Sequence, residues 1–336
     1  RSTLWFLVVG ALFSGYAILD GFDLGAGAWH LFFREENSRR IALNAVGPVW
    51  DGNEVWLVIG GGALFAGFPE AYDTLFSAMY IPFILFLGFL IFRAVSIEFR
   101  GKEPMKWWRK TWDVCYSISS GMMALLLGVV LGNILIGISM NDQFVFTGHW
   151  IEFLNPYALL VGLTTLTLFM VHGAIYLTMK TEGKLFEKIT RLLRRSILIF
   201  VFIFLVVTAV SVIYFPHLTD HFLDSPILFI VPVLAFLSIA NVPRLASKGK
   251  YLRSFIFSAL TLSFLLILVA IDLYPVIILD RGDMDNSMTI YSAASSDKAL
   301  GIMLTIVLIG LPLVIAYTIF VYRTFWGKVK LDETSY

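Results

Sequence analysis

This 336-residue sequence predicts an all-α integral membrane protein with about nine transmembrane helices. Three observations carry that reading. Hydrophobic residues make up 58% of the chain and charged ones only 15%, with a mean hydropathy of +0.82. A soluble domain carries about 25% charged residues, and a soluble core cannot absorb this much apolar surface. The apolar residues also fall into runs long enough to cross hydrocarbon, where only helices close their own backbone hydrogen bonds at such length. Finally, the basic residues alternate between the segments that join those runs.

Taken in order, the runs are 4–33, 48–66, 75–97, 113–139, 156–179, 192–215, 226–243, 253–278 and 299–325. Run 1 is too long for a cleavable signal peptide and reads as a signal anchor. The chain begins at Arg1 rather than methionine, so trimming of its first residues is expected. Arg34, Arg39 and Arg40 follow run 1, and none follows run 2. Arg93, Arg100, Lys102, Lys106, Arg109 and Lys110 are assigned to the segment after run 3. Further clusters follow runs 5, 7 and 9, so one side collects 22 of the 25 Lys and Arg. By the positive-inside rule that side is the cytoplasm, with the N-terminus outside and the C-terminus inside. Trp107, Trp108 and Trp112 sit near the inner end of run 4, as an interfacial belt would. A single polytopic domain, 1–336, is expected, with approximate halves 1–139 and 156–278 and an extra helix 299–325. The segments before runs 5 and 9 are too short to hold a folded domain.

Several chemistries are excluded. The lone Cys115 rules out an internal disulfide, a C-x-x-C-H haem attachment and a cysteine-ligated iron–sulfur cluster. A net charge of +1 argues against nucleic acid, and no phosphate-binding glycine motif occurs. Of the five histidines only His172 lies well inside a run, with no metal-ligand spacing around it. It reads as an interhelical hydrogen-bonding residue, so no metal site is assigned.

What remains is acid in the wrong place. Asp20-Gly21-Phe22-Asp23 lies within run 1, and Trp50-Asp51-Gly52-Asn53-Glu54-Val55-Trp56 opens run 2. A carboxylate in mid-membrane costs ~2.5–3.5 kcal/mol even on lenient scales. Asp20 and Asp23, three apart, share a helix face, and the glycines around them allow a neighbouring helix to approach. They read either as a proton relay or as neutral acids bonded to another helix, and their depth favours the relay. Asp51 and Glu54 sit in a first helical turn, where the helix dipole by itself favours negative charge. If runs 1 and 2 are neighbours, Asp51, Glu54, Asp23 and Asp20 form a ladder from the cytoplasm toward mid-membrane. No Lys or Arg lies in the middle of a run, so these acids are expected to have no cation within the chain's own apolar core. Glu98 and Asp113 are expected to balance the basic segment at the surface.

The same segments resemble subunit II of the cytochrome bd-type quinol oxidases. The likeness rests on residues 15–25 and 47–57, on 61–66 with Phe68-Pro69, on 92–100, and on Trp112-Asp113, Gly132-Asn133 and Asn155-Pro156-Tyr157. It covers essentially the whole chain and is strongest over the first hundred residues, although the outer segment before run 5 is shorter than in some members. The resemblance implies two four-helix bundles plus one peripheral helix, in a bacterial cytoplasmic membrane. It implies a larger partner, subunit I, that holds two haems b and one haem d, oxidises quinol and reduces oxygen to water. This chain would then be a haem-free, non-catalytic subunit. Small single-helix subunits and membrane lipids would be further partners, and some members hold a structural quinone. Asp20, Asp23, Trp50 and Asp51 fall where the family is thought to take protons from the cytoplasm, with Glu54 beside them. The rival readings are a proton-coupled secondary transporter, disfavoured because the acids occupy one half only, and a self-sufficient b-type electron carrier.

Overall fold

The computed structural model describes residues 1–332 and 335–336. Its helices are α1 Ser2–Trp29, α2 Glu36–Val46, α3 Trp50–Gly67, α4 Pro69–Ala78, α5 Tyr80–Phe99 and α6 Lys106–Ile136, followed by α7 Pro156–Lys180, α8 Gly183–Tyr214, the short α9 Asp220–Asp224, α10 Ile230–Ser247, α11 Tyr251–Leu273 and α12 Asp297–Thr324. Eight single helices among the described residues are long and apolar enough to cross a membrane. The pair α3–α4, bent by 119°, brings the number to nine when taken as one crossing.

The bend has a local cause. Pro69 is the first residue of α4, where its missing N–H costs nothing. Proline also disfavours helical geometry in the residue before it, and Phe68 accordingly sits at φ −134°, ψ 65°. The expected third run therefore divides: residues 69–78 form a separate short helix, and the crossing helix α5 begins at Tyr80. α6 and α8 start well before their apolar runs, at Lys106 and Gly183, because long basic side chains are good helix formers and tolerate the aqueous boundary. α2 was not anticipated. It is too polar to cross, yet it buries Ala42, Leu43, Ala45 and Val46 along one face.

α1, α3, α5 and α6 pack in one group, and α7, α8, α10 and α11 in another. α7 joins them by packing on both α1 and α6. Lipid removes most of the hydrophobic drive between helices, so close fit and polar contacts hold them together. Gly25 shows how close the fit is: a Cβ there would stand 1.8 Å from the Phe169 carbonyl oxygen of α7. Phe22 stacks on Tyr176 across the same seam, ring centroids 4.0 Å apart. α12 touches α1 and α3 and is otherwise largely exposed.

At the end of the molecule away from the basic segments, two irregular stretches close over the bundle. The strands β1 Val276–Ile278 and β2 Met288–Thr289 pair antiparallel, and isolated bridges join Ile138 to Asp280 and Met140 to Phe146. Ile138 N donates to Leu279 O at 2.9 Å, and Arg281 N donates to Ile138 O at 3.0 Å. Gly137 makes the turn into this cap at φ +84°, where a Cβ would lie 2.8 Å from Leu279 O.

Candidate functional site

α1 runs unbroken through Asp20 and Asp23, both 0% exposed. Asp20 faces α5, where Arg93 is 1% exposed. Arg93 Nη2 donates to Asp20 Oδ1 at 2.7 Å and Nη1 to Oδ2 at 3.1 Å, a two-pronged pair of the strong, geometrically specific kind. The same Nη1 lies 3.9 Å from Glu54 Oε2, and the guanidinium carbon is 5.9 Å from the centroid of the Trp50 ring. Asp23 is held separately. Its Oδ2 accepts a 2.6 Å bond from Asn53 Nδ2, and Asn53 Oδ1 accepts a 2.8 Å bond from the Tyr322 hydroxyl of α12. The buried Tyr16 lies one turn from Asp20 on α1.

α1, α3 and α5 thus bring Asp20, Asp23, Trp50 and Glu54 into one cluster. Asp51 stands apart from it. It is exposed at the start of α3, one turn before Glu54, which is 8% exposed. Three carboxyl groups share the cluster with one guanidinium. Asp23 Oδ1, Glu54 Oε1 and Arg93 Nε have no hydrogen-bond partner among the described residues. Buried polar atoms seldom stay unpartnered, so each is a point at which a small polar molecule would be held favourably.

The expectation that the acids lack a cation within the chain is overturned by Arg93. α5 continues to Phe99, so Arg93 sits nearly two turns inside the helix rather than in the segment beyond it. Its side chain turns toward Asp20 instead of reaching for the aqueous boundary. The clue available in the sequence was its place within a run otherwise apolar from Tyr80 to Val95. Tyr322 was missed for a different reason, since a phenol carries no charge signal, and Asn53 stood out only as part of the polar start of run 2.

The placement of Asp113 at the surface is likewise corrected. Asp113 is 1% exposed and is the hub of a second buried cluster. Its Oδ1 accepts from Arg100 Nε at 2.6 Å and makes a short contact with His30 Nε2, while Oδ2 accepts from Arg39 Nη1 at 3.0 Å. Glu36 links Arg100 to Arg109. This lock ties the ends of α1, α2, α5 and α6 together. His172 is interhelical, as its position suggested: Nδ1 bonds Ser258 Oγ at 2.6 Å and Nε2 bonds Ile18 O at 2.9 Å. Both ring nitrogens are thus engaged in bonds to other helices. The described residues contain no cluster of three or more His, Cys, Asp or Glu fit for a metal ion.

The family model described as cytochrome bd terminal oxidase subunit II matches residues 1–325. The chain belongs to that family. It is 32% identical to cytochrome bd-I ubiquinol oxidase subunit 2 of Escherichia coli (strain K12), over 98% of this chain and 95% of that protein. It is also 32% identical to cytochrome bd ubiquinol oxidase subunit 2 of Bacillus subtilis (strain 168), over 98% and 97%. Among solved structures, a chain of the bd oxidase from Geobacillus thermodenitrificans has the same fold, with a TM-score of 0.79 at 20% identity over 96% of this chain and 98% of that one. The chain is therefore subunit II of a quinol oxidase complex, a multi-pass protein of the bacterial plasma membrane. A complex of this kind implies a subunit I beside it. Membership replaces both the transporter and the lone electron-carrier readings.

Proposed function

We propose that subunit II passes protons from the cytoplasm, through Asp51, Glu54 and the Asp20–Arg93–Asp23 cluster, toward redox centres held by its partner. The reading takes the end bearing the basic segments as cytoplasmic. It assigns the two haems b, the haem d and the quinol site to subunit I, and leaves this subunit haem-free.

The observation that supports it best is the gradation of burial along the acids. Asp51 is exposed, Glu54 nearly buried, and Asp20 and Asp23 fully enclosed. Burying a charge without a counter-ion is costly. With one guanidinium among three carboxyl groups, the cluster accommodates one fixed ion pair and one or more carboxyl groups that exchange protons. Asp20 is the fixed partner, clamped by Arg93. Asp23 and Glu54, each with an unpartnered oxygen, are the exchanging groups. Trp50 covers the guanidinium and keeps it on Asp20 rather than in water.

Oxygen reduction consumes protons inside the membrane, so an enclosed acid-lined route is a mechanical requirement. Taking those protons from one side only makes turnover electrogenic. The experiment is quinol-driven oxygen consumption by the purified complex carrying Asp23→Asn or Glu54→Gln. Slowed turnover at unchanged haem content supports the proposal. Wild-type turnover in both variants removes it.

A further inference from the structure

An open cleft of about 500 Å³ lies at the end of the molecule that carries the basic segments, between the last turn of the α1 crossing and the first turns of α8. Leu31, Phe32, Arg34 and Lys188 line it. We propose that this cleft binds an anionic phospholipid, its phosphodiester between Arg34 and Lys188 and its acyl chains along Leu31 and Phe32.

Chemistry, depth and lack of internal partners all bear on this. Leu31 and Phe32 are exposed, Phe32 by 51%, and present apolar surface directly beside the two cations. Neither Arg34 nor Lys188 forms an ion pair among the described residues. Lys188 Nζ donates one bond, 2.5 Å to Phe32 O, which fixes the ammonium at the rim and leaves its other two protons for a ligand. The acids nearby do not neutralise the pair: Glu36 is committed to Arg100 and Arg109, and Glu35 and Glu187 have no ion pair with either cation.

Depth fits a lipid headgroup rather than a soluble anion. The uncharged part of α8, from Ile197 to Tyr214, is about 18 residues or roughly 27 Å long, close to the thickness of the hydrocarbon. Lys188 lies about 9 residues, roughly 13 Å, beyond it along the helix, so a tilted helix and a flexible side chain put its ammonium at the phosphate layer. Lys184, Lys188, Arg191 and Arg195 follow an i, i+4, i+7, i+11 pattern that lines one face of α8. That stripe extends the positive field from the cleft toward the hydrocarbon boundary, and basic pockets between helices at this level suit anionic headgroups.

The test compares the intact complex with an Arg34→Gln/Lys188→Gln variant of subunit II. Each is delipidated in detergent and titrated with phosphatidylglycerol, with phosphatidylcholine and with inorganic phosphate, and bound lipid is counted by native mass spectrometry. One phosphatidylglycerol retained by the wild type, and bound roughly 30-fold more weakly by the variant, is expected from two interfacial cations. Equal retention in both, equal retention of phosphatidylcholine, or competition by inorganic phosphate at the same concentration overturns the proposal. So does loss of subunit I from the variant, which would make the cleft a protein interface. A single Lys188→Gln variant, expected to bind phosphatidylglycerol roughly fivefold more weakly, carries the test if the double variant fails to fold, and wild-type binding by it overturns the proposal.

Discussion

Arg93 and Asp20 form a buried two-pronged ion pair, 2.7 and 3.1 Å long, between two membrane helices. The pair explains how an acid can sit fully enclosed on α1. It also fixes which acid of the cluster is least available for proton exchange. Removing one partner strands the other. Arg93→Met should therefore destabilise the subunit by about 3–5 kcal/mol. Arg93→Met combined with Asp20→Leu should recover much of that loss, because no charge is then left alone. Thermal unfolding of the complex, followed for each single variant and the pair, checks this; equal loss in the double and single variants would contradict it.

Asp23 is the acid with an unpartnered oxygen and no direct cation. Asp23→Asn keeps its size and its neighbour Asn53, so stability should change by only about 1 kcal/mol. Turnover should fall by about tenfold or more if the group transfers protons. Tyr322→Phe offers the contrasting case: it removes the bond that holds Asn53 from α12 and should produce a small loss of both stability and rate. Steady-state oxygen consumption beside melting curves separates the two effects.

On the proposed route Glu54, one turn after the exposed Asp51, is the first buried acid that an incoming proton meets. Glu54→Gln should slow turnover progressively more as pH rises, because bulk proton concentration drops tenfold per unit while the donor that buffers it is gone. A rate deficit that stays constant from acid to alkaline pH would argue for a merely structural role.

Gly25 and Gly10 lie on the same helix in different surroundings. Gly25→Ala would put a methyl against the backbone of α7, which cannot swing aside as a side chain can. It should abolish assembly. Gly10→Ala meets nothing within 4 Å and should be neutral or stabilising by up to about 1 kcal/mol through helix propensity. Yield of assembled complex from the two variants is the readout.

Asp113→Asn should loosen the lock at the other cluster. Arg100 and Arg39 would lose their shared anion, costing several kcal/mol in the manner of a broken buried pair. Because this cluster lies outside the proposed route, turnover per assembled complex should stay near wild type.

The contrast between these clusters shows what the sequence could and could not convey. Long apolar runs and alternating basic segments locate the crossings, since both follow from the solvation of whole stretches. Asp20 and Asp23 stood out because acids in such a run are rare. Arg93 and Asp113 did not, because each lies near a run boundary. Whether a charged residue there faces water or the bundle depends on where the helix ends and which way it is rotated. The break at Phe68-Pro69 was written in the sequence, yet its 119° bend depends on how α4 packs beneath the cap. The bonds of Asn53 and Tyr322 became legible only once α1, α3 and α12 were seen to meet.

Proton uptake by reconstituted oxidase vesicles, with the basic end of subunit II facing the medium, tests the central claim most directly. Wild-type complex given quinol and oxygen should draw protons from that side, and an Asp23→Asn/Glu54→Gln complex with full haem content should draw them about tenfold more slowly or less. Uptake at the wild-type rate in the double variant, from the same side, would show that these acids do not carry the protons.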